Sequence, residues 1–327
     1  MRWPRALVSR GVAAVVLAVA ALPGAAAETA FVTNQSSSDL SVIDLATLKE
    51  VARLPVPGNP AGLAVADRLG AVFVVSPETK TVSRFSLSDD SLTGTLQLDG
   101  GPIGIVVDEA RGRLFVSDWF NARAWVIDAE SLTVSGTLTT GSAPAGLALS
   151  PDGRLLVTAD RDSDRFSVFD AETLAPLRQI GVGTRPFGVS FSPDGRVFSA
   201  DVGSNSVTVA DPDTGAILGT VPTGERPYDI AFARGRGFVT NQYADSVTVF
   251  DAATLAPVAL IEVGEYPEGI DASSDGARIY VANWFSNTLG VIDTETLAVT
   301  GAAATGDGPR AFGQFIAITG GEPCATC

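Results

Sequence analysis

Between Gly264 and Thr305 the chain reads GEYPEGIDASSDGARIYVANWFSNTLGVIDTETLAVTGAAAT, and its apolar positions fall into four short runs. These are Gly269 to Ala272, Arg278 to Asn283, Leu289 to Asp293 and Leu297 to Ala303, separated by Ser274-Asp275-Gly276, a polar turn and Asp293-Thr294-Glu295-Thr296. Short period-two runs bounded by turn residues predict a four-stranded antiparallel meander. One such sheet alone would bury little.

The same pattern recurs along the chain. Turn prolines stand at Pro60, Pro102, Pro144, Pro186, Pro227, Pro267 and Pro309, at intervals of 42, 42, 42, 41, 40 and 42 residues. Two further ladders keep those intervals in the same order: Asp44, Ser86, Asp128, Asp170, Asp211, Asp251, Asp293, and Asn34, Ser76, Asp118, Asp160, Asp201, Asn241, Asn283. A repeat near forty residues with four strands is the signature of a propeller. Stacked blades bury both faces of each sheet, which accounts for continuous apolar stretches such as Ser246 to Phe250. The expected fold is all-β, a seven-bladed β-propeller with four antiparallel strands per blade. Phe31 to Asn34 reads as a second strand and Ala311 to Ile318 as a lone first strand. The ring is therefore expected to close with three N-terminal strands and one C-terminal strand in a composite blade.

The turns have mechanical readings. Ser150-Pro151-Asp152-Gly153 and Ser192-Pro193-Asp194-Gly195 place Pro where φ near −65° is wanted and Gly where φ is positive, as hairpins between first and second strands require. Asp211 to Gly215 and Asp293 to Thr296 join third to fourth strands, with the Asp side chain accepting from nearby N–H groups. The repeated Asp is thus read as a turn former.

Phe31-Val-Thr-Asn34, Phe238-Val-Thr-Asn241 and Tyr280-Val-Ala-Asn283, each followed by a Ser-containing turn and a Val-Ile/Phe-Asp run, resemble the YVTN-type β-propeller repeat of exported bacterial and archaeal proteins. The likeness covers essentially the whole chain after its first residues. It departs from the motif around Val74-Val75-Ser76-Pro77, where Ser76 and Ser86 replace Asn and Asp. What it implies is a fold, on which surface-layer proteins, periplasmic proteins and scaffold subunits of quinone-dependent amine dehydrogenases are all built.

At the N-terminus, Arg2, Arg5 and Arg10 precede an apolar run from Gly11 to Leu22, followed by Pro23-Gly24 and Ala25-Ala26-Ala27, the layout of a secretory signal. The expected division is residues 1–27 as signal peptide, 28–319 as propeller and 320–327 as a tail. The run is short for a membrane span, so no membrane insertion is expected after cleavage, and localisation is expected to be periplasmic or secreted. The chain carries 37 acidic and 22 basic residues, a formal charge of −15. That balance repels nucleic acid and anionic lipid.

The sequence contains no histidine. This excludes Ser-His-Asp and Cys-His triads and histidine-ligated zinc, copper or haem. Acidic residues are spread over the turns of every blade, with no pair set apart from the repeat for hydrolysis. The chain alone is therefore expected not to be an enzyme, and neither cofactor nor metal is expected. Asp160-Arg161-Asp162-Ser163-Asp164 offers alternate carboxylates but lacks the Gly and distal Glu of a calcium loop, so it reads as a solvated turn. Cys324 and Cys327 form a terminal Cys-x-x-Cys with no helix to follow. The default is a local disulfide, with a metal or electron-relay role as the other reading.

The residues that do not repeat cluster on one expected face, where the Gly-x-x-Pro turns and the turns after the Asn/Asp ladder emerge. They are Trp119, Phe120, Tyr243, Tyr266, Trp284 and Phe285, with Arg185, Arg226 and Arg310. Aromatics interleaved with Arg on loops have the composition of an interaction surface; alternatively the rings fill gaps between blades. The function expected is that of a binding and scaffold protein, a monomer that engages an unidentified protein or small ligand through this face. The alternative is an accessory propeller of a quinone- or metal-dependent redox system.

Overall fold

A computed structural model describes Ala27 to Thr319, which form seven four-stranded antiparallel sheets. The expected signal segment before Ala27, and Cys324 and Cys327 with their expected disulfide, lie outside the described residues. Blade 1 is composite, pairing Ala27–Asn34, Asp39–Asp44 and Lys49–Pro55 with Ile316–Thr319 on its inner edge. The innermost strands of blades 2 to 7 are Leu63–Ala66, Pro102–Asp108, Pro144–Leu149, Pro186–Phe191, Pro227–Ala233 and Pro267–Ala272. Ring closure by opposite ends of the chain is as the ladder arithmetic predicts. The closing strand is shorter than expected, because Gly313 adopts φ 120° and residues 311–315 run irregularly before pairing begins.

The core lies between blades. Phe73 and Val75 of blade 2, for instance, meet Leu114, Trp125 and Ile127 of blade 3. Such interfaces bury the apolar residues of both sheet faces, the dominant favourable term in folding. In every blade the pairing of third and fourth strands is broken by a bulge at one equivalent place, Val126/Ile127 in blade 3 and Val291/Ile292 in blade 7, which increases the local twist.

A second irregularity lies between first and second strands, just after the turn proline, as at Pro186/Val189 and Pro227/Ile230. Here the inner strand leaves its own blade and approaches the next one. A Cβ placed on Gly188 would lie 2.5 Å from the Tyr228 carbonyl oxygen. Glycine is what that approach requires, and most blades have it at this position: Gly62, Gly104, Gly146, Gly188 and Gly269. The exceptions are Ala311 and Asp229.

The Asp turn ladder behaves as read from sequence. Asp170 Oδ1 accepts from the N–H groups of Glu172 and Thr173, and Asp251 and Asp293 do the same with the residues two and three along. Those backbone hydrogen bonds hold the carboxyls of Asp170, Asp251 and Asp293 below their ordinary range.

Across the channel runs an aromatic septum. Phe187, Tyr228 and Phe312 pack on Ala145, with ring centroids 4.4 Å apart for Phe187 and Tyr228 and 5.1 Å for Phe187 and Phe312. Trp119 leans on Phe187 at 6.0 Å. On the side of the septum facing the first-to-second-strand hairpins lies a cavity of about 450 Å³.

Candidate functional face and throat

The face carrying the Gly-x-x-Pro turns is built by a device repeated from blade to blade. The residue before the turn proline is left-handed in Arg185, Arg226 and Tyr266, with φ of 55°, 57° and 57°. Each is fixed by a side chain 21 residues earlier: Arg185 N–H donates to Asp164 Oδ1 (2.7 Å), Arg226 N–H to Asn205 Oδ1 (2.9 Å) and Tyr266 N–H to Asp245 Oδ1 (2.8 Å). Asp164, Asn205 and Asp245 are themselves left-handed, a conformation that Asn and Asp tolerate better than most residues. In turn, the residue after the buried Asn/Asp ladder donates its N–H to the carbonyl of the left-handed residue, as Gln242 does to Arg226 and Trp284 to Tyr266. In blades 6 and 7 the two loops are thereby locked together, and their side chains are brought side by side.

Five of the predicted residues meet over blades 6 and 7. Tyr266 lies 5.6 Å from Tyr243, 4.9 Å from Phe285 and 6.5 Å from Trp284, ring to ring. Arg226 stacks 4.7 Å over the Tyr243 ring and donates from Nη1 to its hydroxyl at 3.2 Å. Burial and the neighbouring Tyr243 push the Tyr266 phenol up to about 12. Tyr243 and Phe285 are 51% and 63% exposed, whereas Tyr266 and Trp284 are half-buried. Phe120, 76% exposed, and Trp119 form a separate group on blade 3, where Arg161 lies 5.3 Å over Trp119. Arg185 is exposed. Both alternatives raised by the sequence thus occur: Trp119 packs on the septum, while Tyr243, Phe285 and Phe120 present rings to solvent.

Arg310 is not the exposed loop arginine that the sequence suggested. Its side chain is 14% exposed and forms part of a polar throat beside the septum. Nη2 donates to the Tyr228 hydroxyl (2.5 Å), Nη1 donates to Gln35 Oε1 (3.2 Å), and Nε lies 3.3 Å from Glu268 Oε2. Gln242 Nε2 donates to Glu268 Oε1 at 2.5 Å. The Arg310–Glu268 contact is close without hydrogen-bond alignment, and among the described residues Nε and Oε2 have no other hydrogen-bond partner. Burial raises the Glu268 carboxyl while Arg310 opposes the rise. For Arg310, burial acts downward but the fields of Tyr228 and Glu268 outweigh it, so the guanidinium is held more firmly protonated than usual.

Tyr228, Glu268 and Gln242 were not singled out from the sequence. A signal was present: the residue after the turn proline reads Ala61, Ile103, Ala145, Phe187, Tyr228, Glu268, Arg310, a position that does not repeat. Of these, Ala145, Phe187 and Tyr228 pack into the septum, and Tyr228, Glu268 and Arg310 meet in the polar throat.

The acidic turn of blade 4 also needs correction. Asp160 is fully buried rather than solvated, accepting from Gly141 N–H (2.8 Å), Ser167 Oγ (2.6 Å) and Thr158 Oγ1 (2.7 Å). Asp162 pairs with Arg161, and Asp164 holds the Arg185 N–H. The carboxylates therefore serve separate partners. Among the described residues no three His, Cys, Asp or Glu side chains are grouped to hold a metal ion.

No protein-family model matches the chain, and no curated protein matches it. Solved structures do. The chain is similar to Kuenenia stuttgartiensis hydrazine synthase at 21% identity and a TM-score of 0.74, over 81% of this chain and 92% of that one. A functionally unknown protein from Desulfotomaculum acetoxidans gives 16% identity and a TM-score of 0.75, over 87% and 99%. The dihydro-heme d1 dehydrogenase NirN, in complex with DHE, gives 16% identity and a TM-score of 0.65, over 84% of this chain and 63% of that one. At these identities the shared property is the fold: a propeller found both in redox enzymes and in a protein of unknown role.

Proposed function

We propose that this chain is an exported, monomeric binding and scaffold protein, periplasmic or secreted, that engages a partner protein or small ligand through the Gly-x-x-Pro face of blades 6 and 7. The observation that carries this reading is the contiguous Arg226, Tyr243, Tyr266, Trp284 and Phe285 cluster, rigidly mounted and partly exposed on an otherwise regular repeat. Large aromatics and Arg supply contact area at small entropic cost and dominate measured binding hot spots. Tyr243→Ala combined with Phe285→Ala removes exposed rings, so stability should change by no more than about 0.5 kcal/mol. Capture of a specific protein from periplasmic extract should be abolished. Capture at parental levels by the double variant would sink the reading.

A second reading, an accessory propeller in a quinone- or metal-dependent redox system, is favoured by the likeness in fold to hydrazine synthase and to the NirN dehydrogenase. A captured partner carrying a quinone or redox metal would select it, and a partner carrying neither would dismiss it.

A further inference from the structure

The cavity on the other side of the septum is independent of the aromatic face. Among the described residues its lining includes two carboxylates, Asp229 and Asp271, from the adjacent inner strands of blades 6 and 7, and no Lys or Arg. Most of the remainder is apolar, with Ile105, Leu147, Val189 and Phe312 among the contributors. A cavity of about 450 Å³ is within the range of small-molecule sites, ~300–1,000 Å³.

Asp229 breaks the steric rule of the repeat. It occupies the position where most blades have Gly because the inner strands come so close. Its side chain lies over Gly188, where a Cβ would fall 2.8 Å from Asp229 Oδ1, so the glycine of blade 5 makes room for the acid of blade 6. Asp229 is 6% exposed and accepts one hydrogen bond, from the Ile230 N–H at 2.9 Å. Among the described residues no Lys or Arg pairs with it. A buried carboxyl without a counter-ion is costly, and nothing in the fold requires one where glycine serves in the neighbouring blades.

We propose that the channel cavity is a binding site for a small organic cation, a protonated amine with a short apolar body, with Asp229 as its counter-ion. Asp271 adds field but not a free ligand atom: Oδ1 accepts from Ala272 N–H, and Oδ2 from Phe315 and Ile316 N–H. With one free carboxylate and apolar walls, the cavity lacks the oxygen cage that a divalent metal requires. It suits a cation whose body is hydrophobic.

The charged surroundings give the site a pH signature. The inner strand of blade 5, Pro186–Phe191, carries no titratable side chain; blade 7 contributes Asp271, with Glu28 beyond it, and the septum separates Glu268 and Arg310. Burial, reinforced by Asp271, holds Asp229 protonated well above the ordinary carboxylate range. Binding a cation therefore expels a proton, and affinity should rise with pH.

The test uses n-butylammonium and n-butanol as charged and neutral probes on the full chain, followed by calorimetry at pH 6, 7 and 8. Expected are binding of the ammonium with proton release, at least tenfold weaker binding of the alcohol, and tighter binding at higher pH. Asp229→Gly restores the residue of neighbouring blades, so it should fold as the parent does and bind the ammonium at least tenfold more weakly. Asp229→Asn should do the same while keeping the volume. Equal binding of both probes, absence of ammonium binding, or undiminished binding by a folded Asp229→Gly would overturn the proposal. Tyr243→Ala should leave this binding unchanged whatever becomes of partner capture.

Discussion

Asn34, Ser76, Asp118, Asp160, Asp201, Asn241 and Asn283 all sit at the end of a second strand and all are buried. Asp118 and Asp160 accept directly from Gly101 and Gly141 N–H of the Gly-x-x-Pro loop, Asn34 and Asn241 reach that loop through the hydroxyls of Ser41 and Thr248, and Ser76 Oγ has no hydrogen-bond partner among the described residues. Asp201 takes hydrogen bonds from Thr208 Oγ1 (2.6 Å) and Ser199 Oγ (2.7 Å), whereas Asn241 donates from Nδ2 to Thr248 Oγ1 (2.9 Å). Burial pushes the Asp201 carboxyl up to about 6, only partly opposed by those hydroxyls. A carboxyl whose folded pKa lies above its ordinary 3.8 leaves stability intact below that value and subtracts from it as pH rises toward 6. Asp201→Asn, the choice of blades 6 and 7, should therefore match the parent near pH 4 and exceed it by about 1–3 kcal/mol at pH 7.5. Urea denaturation at the two pH values checks this; a gain of equal size at both would sink the linkage account. The ladder itself was legible in the sequence. Its burial was not, because spacing reports only that a position is equivalent, and an Asp in a turn and an Asp under a turn have the same spacing.

At the scale of elements, strands and hairpins were readable because alternation and turn chemistry are local properties. The link of Asp164 to Arg185, Asn205 to Arg226 and Asp245 to Tyr266 was not, since it joins neighbouring blades and shows only as a 21-residue relation between two unlike loops. Asp245→Gly keeps the left-handed backbone and removes only the acceptor. It should cost roughly 1 kcal/mol, accelerate hydrogen exchange at the Tyr266 amide, and weaken partner capture by loosening the ring at the cluster's centre. If the Tyr266 amide exchanged at the parental rate, the side chain would not be what holds that loop. The same limit explains why the throat escaped notice: Glu268 and Arg310 stand 42 residues apart in adjacent blades, and only closure of the ring puts them in contact.

At the scale of the molecule, the ring is closed by strand pairing and hydrogen bonds that join residues 307–319 to blades 1, 2 and 7. Phe31 N–H donates to the Phe315 carbonyl, Asp271 takes the N–H groups of Phe315 and Ile316, and Ser274 N–H donates to Glu28 Oε1 at 2.6 Å. Removing residues 309–327 would unpair the inner edge of Ala27–Asn34 and take from the inner strand of blade 2 the carbonyls of Phe312 and Gln314 that accept from Leu63 and Val65 N–H. An unpaired apolar strand edge invites intermolecular pairing, so the truncated chain should melt earlier and sediment as concentration-dependent oligomers. A monomer of unchanged melting temperature would show that the last strand does not hold the ring.

The septum of Phe187, Tyr228 and Phe312 turns one doughnut into two back-to-back cups. The aromatic cluster and the cavity lie on opposite sides of those rings, so the two faces can be loaded independently. An amine held under the rings and a protein held above them would then be read by a single rigid partition. Tyr228 is placed to carry word across it, its ring in the septum and its hydroxyl on Arg310.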